Sequence, residues 1–132
     1  MAETMKFDLV SPERRLASMQ AREVEIPGAE GNFTAMPDHA ATLATLRPGL
    51  VRATGPEGVA EFVVTGGFVE VGPSGASVLA EVALPRAEAD RAAIEAMVAE
   101  AEAAVEAAPE ADKDAARKRV ADTRAIIDQL GL

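Results

Sequence analysis

The chain is predicted to be α+β, with an N-terminal all-β sandwich over residues 1–84 followed by a C-terminal antiparallel two-helix hairpin over residues 85–132. Three observations predict this. Short runs that alternate polar and apolar residues recur through the first part of the chain, the period-two signature of half-buried strands. Clusters of Gly and Pro punctuate them at roughly 8–12-residue intervals, as in an antiparallel sandwich or barrel. At Leu84-Pro85 the composition then shifts to alanine and glutamate.

Taken in order, Met5-Lys6-Phe7-Asp8-Leu9 and Glu23-Val24-Glu25-Ile26 alternate cleanly, and Pro27-Gly28 is expected to stop the second run. Val51 to Thr54, Val59 to Val64, Phe68 to Val71 and Ser77 to Leu84 follow as short β-type runs. Gly55-Pro56-Glu57-Gly58, Gly66-Gly67 and Gly72-Pro73-Ser74-Gly75 separate them as turns. Asp38 to Pro48 has no clear period and reads as a loop or a distorted strand.

From Ala87 to Ala108 nothing opposes a helix, because Ala and Glu are both good helix formers. Pro109 ends it by removing a hydrogen-bond donor and crowding the preceding turn. A second helix is expected over Ala111 to Leu130, with Gly131 as its cap. The predicted inner stripes are Ile94, Met97, Ala101, Ala104 and Ala108 on the first helix, and Ala116, Val120, Thr123, Ile127 and Leu130 on the second. Most of these side chains are small. The hairpin should therefore be held weakly, with Glu95, Glu100, Glu102 and Glu106 set against Lys113, Arg117, Lys118, Arg119 and Arg124.

Composition excludes several function classes. A net charge of −9 disfavours a polyanionic partner, and four Phe with no Trp or Tyr leave almost no stacking platform for single-stranded nucleic acid. No cysteine is present for disulfides or thiolate metal sites. No stretch approaches the ~20 apolar residues that cross a bilayer, so any membrane association is expected to run through partners. His39 is the sole histidine, and no Gly-x-Ser-x-Gly elbow surrounds any serine, so a structural role outweighs a catalytic one. The glutamates of the first helix read as a solvated face rather than an acid/base pair, and Gly66-Gly67 as a hairpin turn rather than a phosphate loop. Asn32-Phe33-Thr34 matches a glycosylation sequon with no secretory signal before it. The segment from Ile26 to His39 is dense in turn residues and carries Phe33 and Met36. It reads either as a loop packed over the end of the sandwich or as a docking surface.

An ordered set of short motifs points further. Phe7-Asp8-Leu9-Val10-Ser11-Pro12, Pro27-Gly28-x-Glu30-Gly31, Met36-Pro37-x-His39-Ala40 and Leu46-x-Pro48-Gly49 occur in succession. Gly66-Gly67-Phe68-Val69-Glu70-Val71 and Val78-Leu79-Ala80-Glu81 complete the set. Together they resemble the epsilon subunit of F-type ATP synthases over essentially the whole chain. The fold of that family is a β-sandwich plus a two-helix hairpin.

The resemblance implies a non-catalytic rotor subunit of the central stalk, in a proton-translocating complex at the cytoplasmic face of the bacterial plasma membrane. It places Glu30, Gly31, Asn32, Phe33, Pro37 and Asp38 against the membrane-embedded c-ring, and Ser11, His39 and Ala44 against the gamma subunit. In many members the hairpin can extend along gamma and block hydrolysis; here Arg117, Lys118 and Arg119 would then face acidic segments of the catalytic alpha and beta subunits. Some members bind ATP through a Leu/Ile-Asp-x-x-Arg-Ala motif at the start of the first helix. One register here keeps Arg91-Ala92 but puts Ala87-Glu88 where Leu/Ile-Asp belongs; the other keeps Asp90 but has Ala93 in place of the arginine. Glu88, Asp90 and Arg91 are what remains of an ATP site, and the departure argues against ATP sensing. No cofactor is required. Composition alone also permits an unrelated β-sandwich adaptor or small-ligand-binding module.

Overall fold

A computed structural model describes residues 3–132; residues 1 and 2, at the start of the N-terminal unit, lie outside the described residues. Ten strands come first: β1 (Met5–Val10), β2 (Arg15–Ala21), β3 (Glu23–Gly28), β4 (Gly31–Ala35), β5 (Thr42–Leu46), β6 (Gly49–Gly55), β7 (Gly58–Val64), β8 (Gly67–Gly72), β9 (Gly75–Ala80) and β10 (Ala83–Pro85). A 3-10 turn over Arg86–Glu88 leads to α1 (Arg91–Ala107), and a second over Glu110–Asp112 leads to α2 (Lys113–Gln129).

The strands run in the order β10-β7-β6-β3-β5-β8-β9-β1-β2, with β4 added to β3. All pairings are antiparallel except β1 with β9. The ladder passes from β3 to β5 at the single pair Gly28–Leu46, and there the sheet folds over on itself. Alternate residues of both layers then meet in one core. Phe7 and Leu9 from β1, Val24 and Ile26 from β3, Val51 from β6, and Val69 and Val71 from β8 are all essentially inaccessible to water. The period-two runs in the sequence are the inward rows of this core.

Several elements differ from the sequence expectation. Ile26 to His39 is mostly a hairpin rather than a loop. β3 continues through Pro27, whose carbonyl accepts the Arg47 N–H at 2.9 Å, and Gly28 pairs with Gly31 across a two-residue turn. Phe33 packs against the core while Met36 is exposed. Of the two readings for the stretch without visible period, loop or distorted strand, the strand holds for Thr42–Leu46, which β8 pairs along its whole length. The run Ser77 to Leu84 breaks at Glu81-Val82 into β9 and β10, where the chain crosses from one layer to the other. β2 fills a stretch for which alternation raised no expectation.

Gly66-Gly67 is not the expected hairpin turn, since β7 pairs with β6 and β10 while β8 pairs with β5 and β9; it is a crossing between layers, and its geometry shows why glycine is used there. Gly67 has φ +123°, and a Cβ on it would lie 1.9 Å from the Leu79 carbonyl oxygen. Beside it, the Thr65 N–H donates to the Val82 carbonyl at 3.1 Å and the Glu81 N–H donates to the Gly66 carbonyl at 2.9 Å. The two crossings therefore run side by side.

Asp90 caps α1, accepting the Ala93 N–H at 2.8 Å, and the helix ends ahead of Pro109. Gly131 follows α2 with φ +71°, as its predicted capping role requires. The buried face of α1 is Ile94, Val98 and Ala101, whereas Ala104 is exposed; on α2, Thr123 and Ile126 are buried and Ile127 only half so. The stripes were thus displaced by one position in places, because the helices face the sandwich as well as each other. Ile94 and Ile126 meet Ala89 and Val63 of β7, with Leu50, Leu84, Met97, Ile127 and Leu130 around them. Leu50, Val63 and Leu84 form one outward row across β6, β7 and β10. The hairpin lies folded down on that row.

Candidate docking surfaces

Two features of the sandwich face solvent with shapes that local sequence dictates. The first is the tip of the β3–β4 hairpin, where Glu30, Gly31 and Asn32 are exposed. Gly31 takes φ +143°, and a Cβ at Gly28 would press on the Gly31 carbonyl and the Phe33 ring, so the turn closes only with small residues there. Arg47 braces it, its guanidinium donating to the Gly28 carbonyl and to Asn32 Oδ1. The Ala29 N–H donates to the Thr45 carbonyl at 2.8 Å, tying the tip to β5.

Next to the tip, residues 36–39 make a turn closed by the His39 N–H on the Met36 carbonyl at 3.1 Å, with Asp38 at φ +64°. Asp38 is exposed and Pro37 half-buried. His39 Nδ1 sits 2.8 Å from the Ala40 carbonyl oxygen. Its ring stands 6.4 Å from that of Phe33. The tip and the turn are thereby brought together, and His39 lies with them rather than with Ser11.

Of the other residues expected at gamma, Ser11 is buried, with its N–H donating to the Arg14 carbonyl at 2.9 Å, and it lines the end of a groove. Ala44 pairs with Val69 on the core-facing row and is half-buried.

That groove belongs to the second feature. Thr45, Phe68, Leu79 and Val10 stand in register across β5, β8, β9 and β1 on the outer face of this layer. Phe68 and Leu79 are 55% and 54% exposed, and Leu43, two residues from Thr45 on the same strand, is 74% exposed. Exposed apolar side chains aligned in this way on one sheet face make a candidate interaction surface. Sequence reasoning did not single out these residues. The available signal was phase: in Phe68-Val69-Glu70-Val71 an apolar residue occupies the outward position where alternation calls for a polar one.

The residues left from the ATP motif are all engaged within the chain. Glu88 pairs with Arg14 at 2.9 Å, Asp90 caps α1, and Arg91 pairs with Glu95 at 2.9 Å. They do not converge on one pocket. On α2, Arg117 pairs with Asp114 at 3.1 Å and Lys118 with Asp122 at 2.7 Å. Arg119 instead reaches the sandwich, 2.5 Å from Glu81. Among the described residues no cluster of metal-ligating side chains occurs, and no helix is long and apolar enough to cross a membrane.

Comparison with known proteins identifies the family. The family described as "ATP synthase, Delta/Epsilon chain, beta-sandwich domain" matches residues 4–86. The ATP synthase epsilon chain of Fuscovulum blasticum is 54% identical over 126 residues, covering 96% of this chain and 95% of that one. Those of Ruegeria sp. (strain TM1040) and Rhodobacter capsulatus are each 50% identical, with both chains covered in full. In structure, a chain of the Euglena gracilis mitochondrial ATP synthase assembly containing OSCP, F1 and the c-ring superposes with a TM-score of 0.71 at 20% identity, over 96% of this chain and 80% of that one. A chain of the Tetrahymena thermophila mitochondrial central stalk and c-ring superposes with a TM-score of 0.66 at 18% identity, over 97% of both. The two structures share the fold, and the sequence matches extend from the sandwich through both helices: this chain belongs to the family of ATP synthase epsilon chains.

Proposed function

We propose that the chain is a non-catalytic rotor subunit of the central stalk, joining the gamma subunit to the c-ring and passing torque between them. The observation that carries this reading is the outer-face row Thr45–Phe68–Leu79–Val10, with Phe68 and Leu79 more than half exposed, set on a sandwich whose core is sealed from water. It gives gamma a flat, desolvatable seat on a rigid body. The braced tip at Glu30, Gly31 and Asn32, with Phe33, Pro37 and Asp38 beside it, is the polar contact for the ring, and Leu43 extends the apolar strip toward it. Ser11 ends the gamma groove; His39 belongs to the ring side, and Ala44 acts from beneath β5. The chain works at the cytoplasmic face of the bacterial plasma membrane, held there through these partners, and translocates no proton itself.

The hairpin lies on the opposite layer. Arg117, Lys118 and Arg119 meet catalytic subunits only after it leaves the sandwich, so this conformation is the non-inhibiting one. Neither a cofactor nor ATP is needed for either contact.

Co-purification with gamma tests the reading. Wild-type chain is expected to form a stable complex, and Phe68→Asp with Leu79→Asp to lose it while keeping native circular dichroism. A wild-type chain that stays monomeric in the presence of gamma refutes the proposal. For the hairpin, a chain ending at residue 85 assembled into the complete enzyme reports any braking role: ATP hydrolysis rises if the helices restrain it and is unchanged otherwise.

A further inference from the structure

The groove beside Phe68 is not built by the sandwich alone. Arg119 of α2 lines it together with Val10, Gly67, Phe68, Leu79 and Glu81. Its guanidinium reaches this rim through the Glu81 carboxylate, Nη2 to Oε2 at 2.5 Å. Gly66 makes the approach feasible: a Cβ there would lie 2.9 Å from Arg119 Nη1 and 3.2 Å from Glu81 Oε2. Arg119 is seven residues before Ile126, hence about 10 Å along the helix from the apolar plug that seats the hairpin on β7. It is a second point of attachment, placed where the two layer crossings run side by side.

Resting on the docking reading above, we propose that the Glu81–Arg119 pair makes the docked hairpin one wall of the apolar groove, so that gamma seated on Phe68 and Leu79 holds the hairpin down. The physical reason is differential contact. With the hairpin docked, an occupant touches the aliphatic stem of Arg119 as well as the sheet; with it undocked, that wall is gone. A ligand that gains contacts in one of two states shifts the population toward that state, and by linkage docking raises its affinity in turn. Arg119 and Glu81 are positioning residues in this scheme, since the apolar strip supplies the seat itself.

Amide hydrogen exchange on the full-length chain, free and bound to gamma, tests the coupling. In the wild type, gamma is expected to raise protection across residues 113–129 by about fivefold or more. Arg119→Ala and Glu81→Ala are each expected to lose that rise while gamma still binds. The exchanged pair Glu81→Arg with Arg119→Glu restores it, and Lys118→Ala, a cation removed from the same helix, leaves it intact. Gamma binding with helix protection unchanged or lowered overturns the coupling and leaves the docking reading standing, as does a rise that persists in Arg119→Ala. If gamma does not bind the wild-type chain, the docking reading falls and the coupling with it.

Discussion

The sandwich and the hairpin are held by different physics. Within the sandwich, both layers send large side chains inward, and Phe7, Leu9, Val24, Ile26, Val51, Val64, Val69, Val71 and Val78 are all sealed from water in one core. In the hairpin, Ile94 and Ile126 are the large side chains so sealed among the described residues, and alanine occupies much of the remainder. At roughly 25 cal/mol per Å² of apolar surface, two isoleucines and a few small side chains offset far less chain entropy than the sandwich core does. The polar contribution does not close the gap. Arg124–Glu102 joins the helices, while Arg119–Glu81, Arg86–Glu61 and Arg14–Glu88 tie the helical part to the sandwich, and all partners but Glu61 are more than a third exposed. Pairs of that kind are worth about 0–1 kcal/mol each. The difference leaves one part rigid and lets the other open locally.

Truncating a core residue is the strongest way to break this comparison. Phe7→Ala removes a ring sealed between the layers and is expected to cost about 3–5 kcal/mol, read from chemical denaturation followed by circular dichroism. The loss should appear as unfolding of the strands, with the helices following because their seat is gone. If Phe7→Ala costs no more than an exposed substitution, the sandwich is not the rigid half.

Ile126→Ala sharpens the same contrast from the other side. It leaves a cavity at the plug between α1, α2 and Val63, and the expected cost is about 2–4 kcal/mol, borne locally. Amide exchange should quicken across both helices while the strands keep their protection. Loss of protection in β6 and β7 to the same extent would mean that the two parts unfold as one, and the division between them would disappear.

How much of this was legible in the sequence follows from where local pattern decides structure. Alternation located β1 and the start of β3 because one face of each meets the core and the other meets water. It did not show β5, since Thr42-Leu43-Ala44-Thr45-Leu46 places Leu43 outward into solvent and small Ala44 inward. Nor did it show the β3–β4 hairpin, where Pro27 and the glycines read as a stop although tertiary pairing carries the strand through them. The helices and their C-terminal ends were plain from composition, Pro109 and Gly131, but the expected start at Ala87 was four residues early: Arg86–Glu88 forms a 3-10 turn and Asp90 caps a helix that begins at Arg91. Which faces they bury was not plain, because the sheet as well as the partner helix decides that. For the docking surfaces, the ordered motifs led to the exposed tip, whereas the apolar strip emerged only when register aligned single residues from β5, β8, β9 and β1.

The smallest effect concerns Asp90, where the two parts join. Its carboxylate accepts the Ala93 N–H at 2.8 Å and so satisfies one of the donors that the first turn of α1 leaves unpaired. Asp90→Ala is expected to cost about 1 kcal/mol, confined to the helices, and Asp90→Ser to recover most of it because serine caps equally well. The pair of variants also separates capping from nucleotide sensing. A capping role predicts no heat on titrating ATP into the wild-type chain and exchange that quickens first at the start of α1 in Asp90→Ala. A sensing role predicts measurable heat that both variants abolish, since neither alanine nor serine restores the carboxylate charge. With Glu88 paired to Arg14 and Arg91 to Glu95, capping is the role that needs no rearrangement of neighbouring side chains.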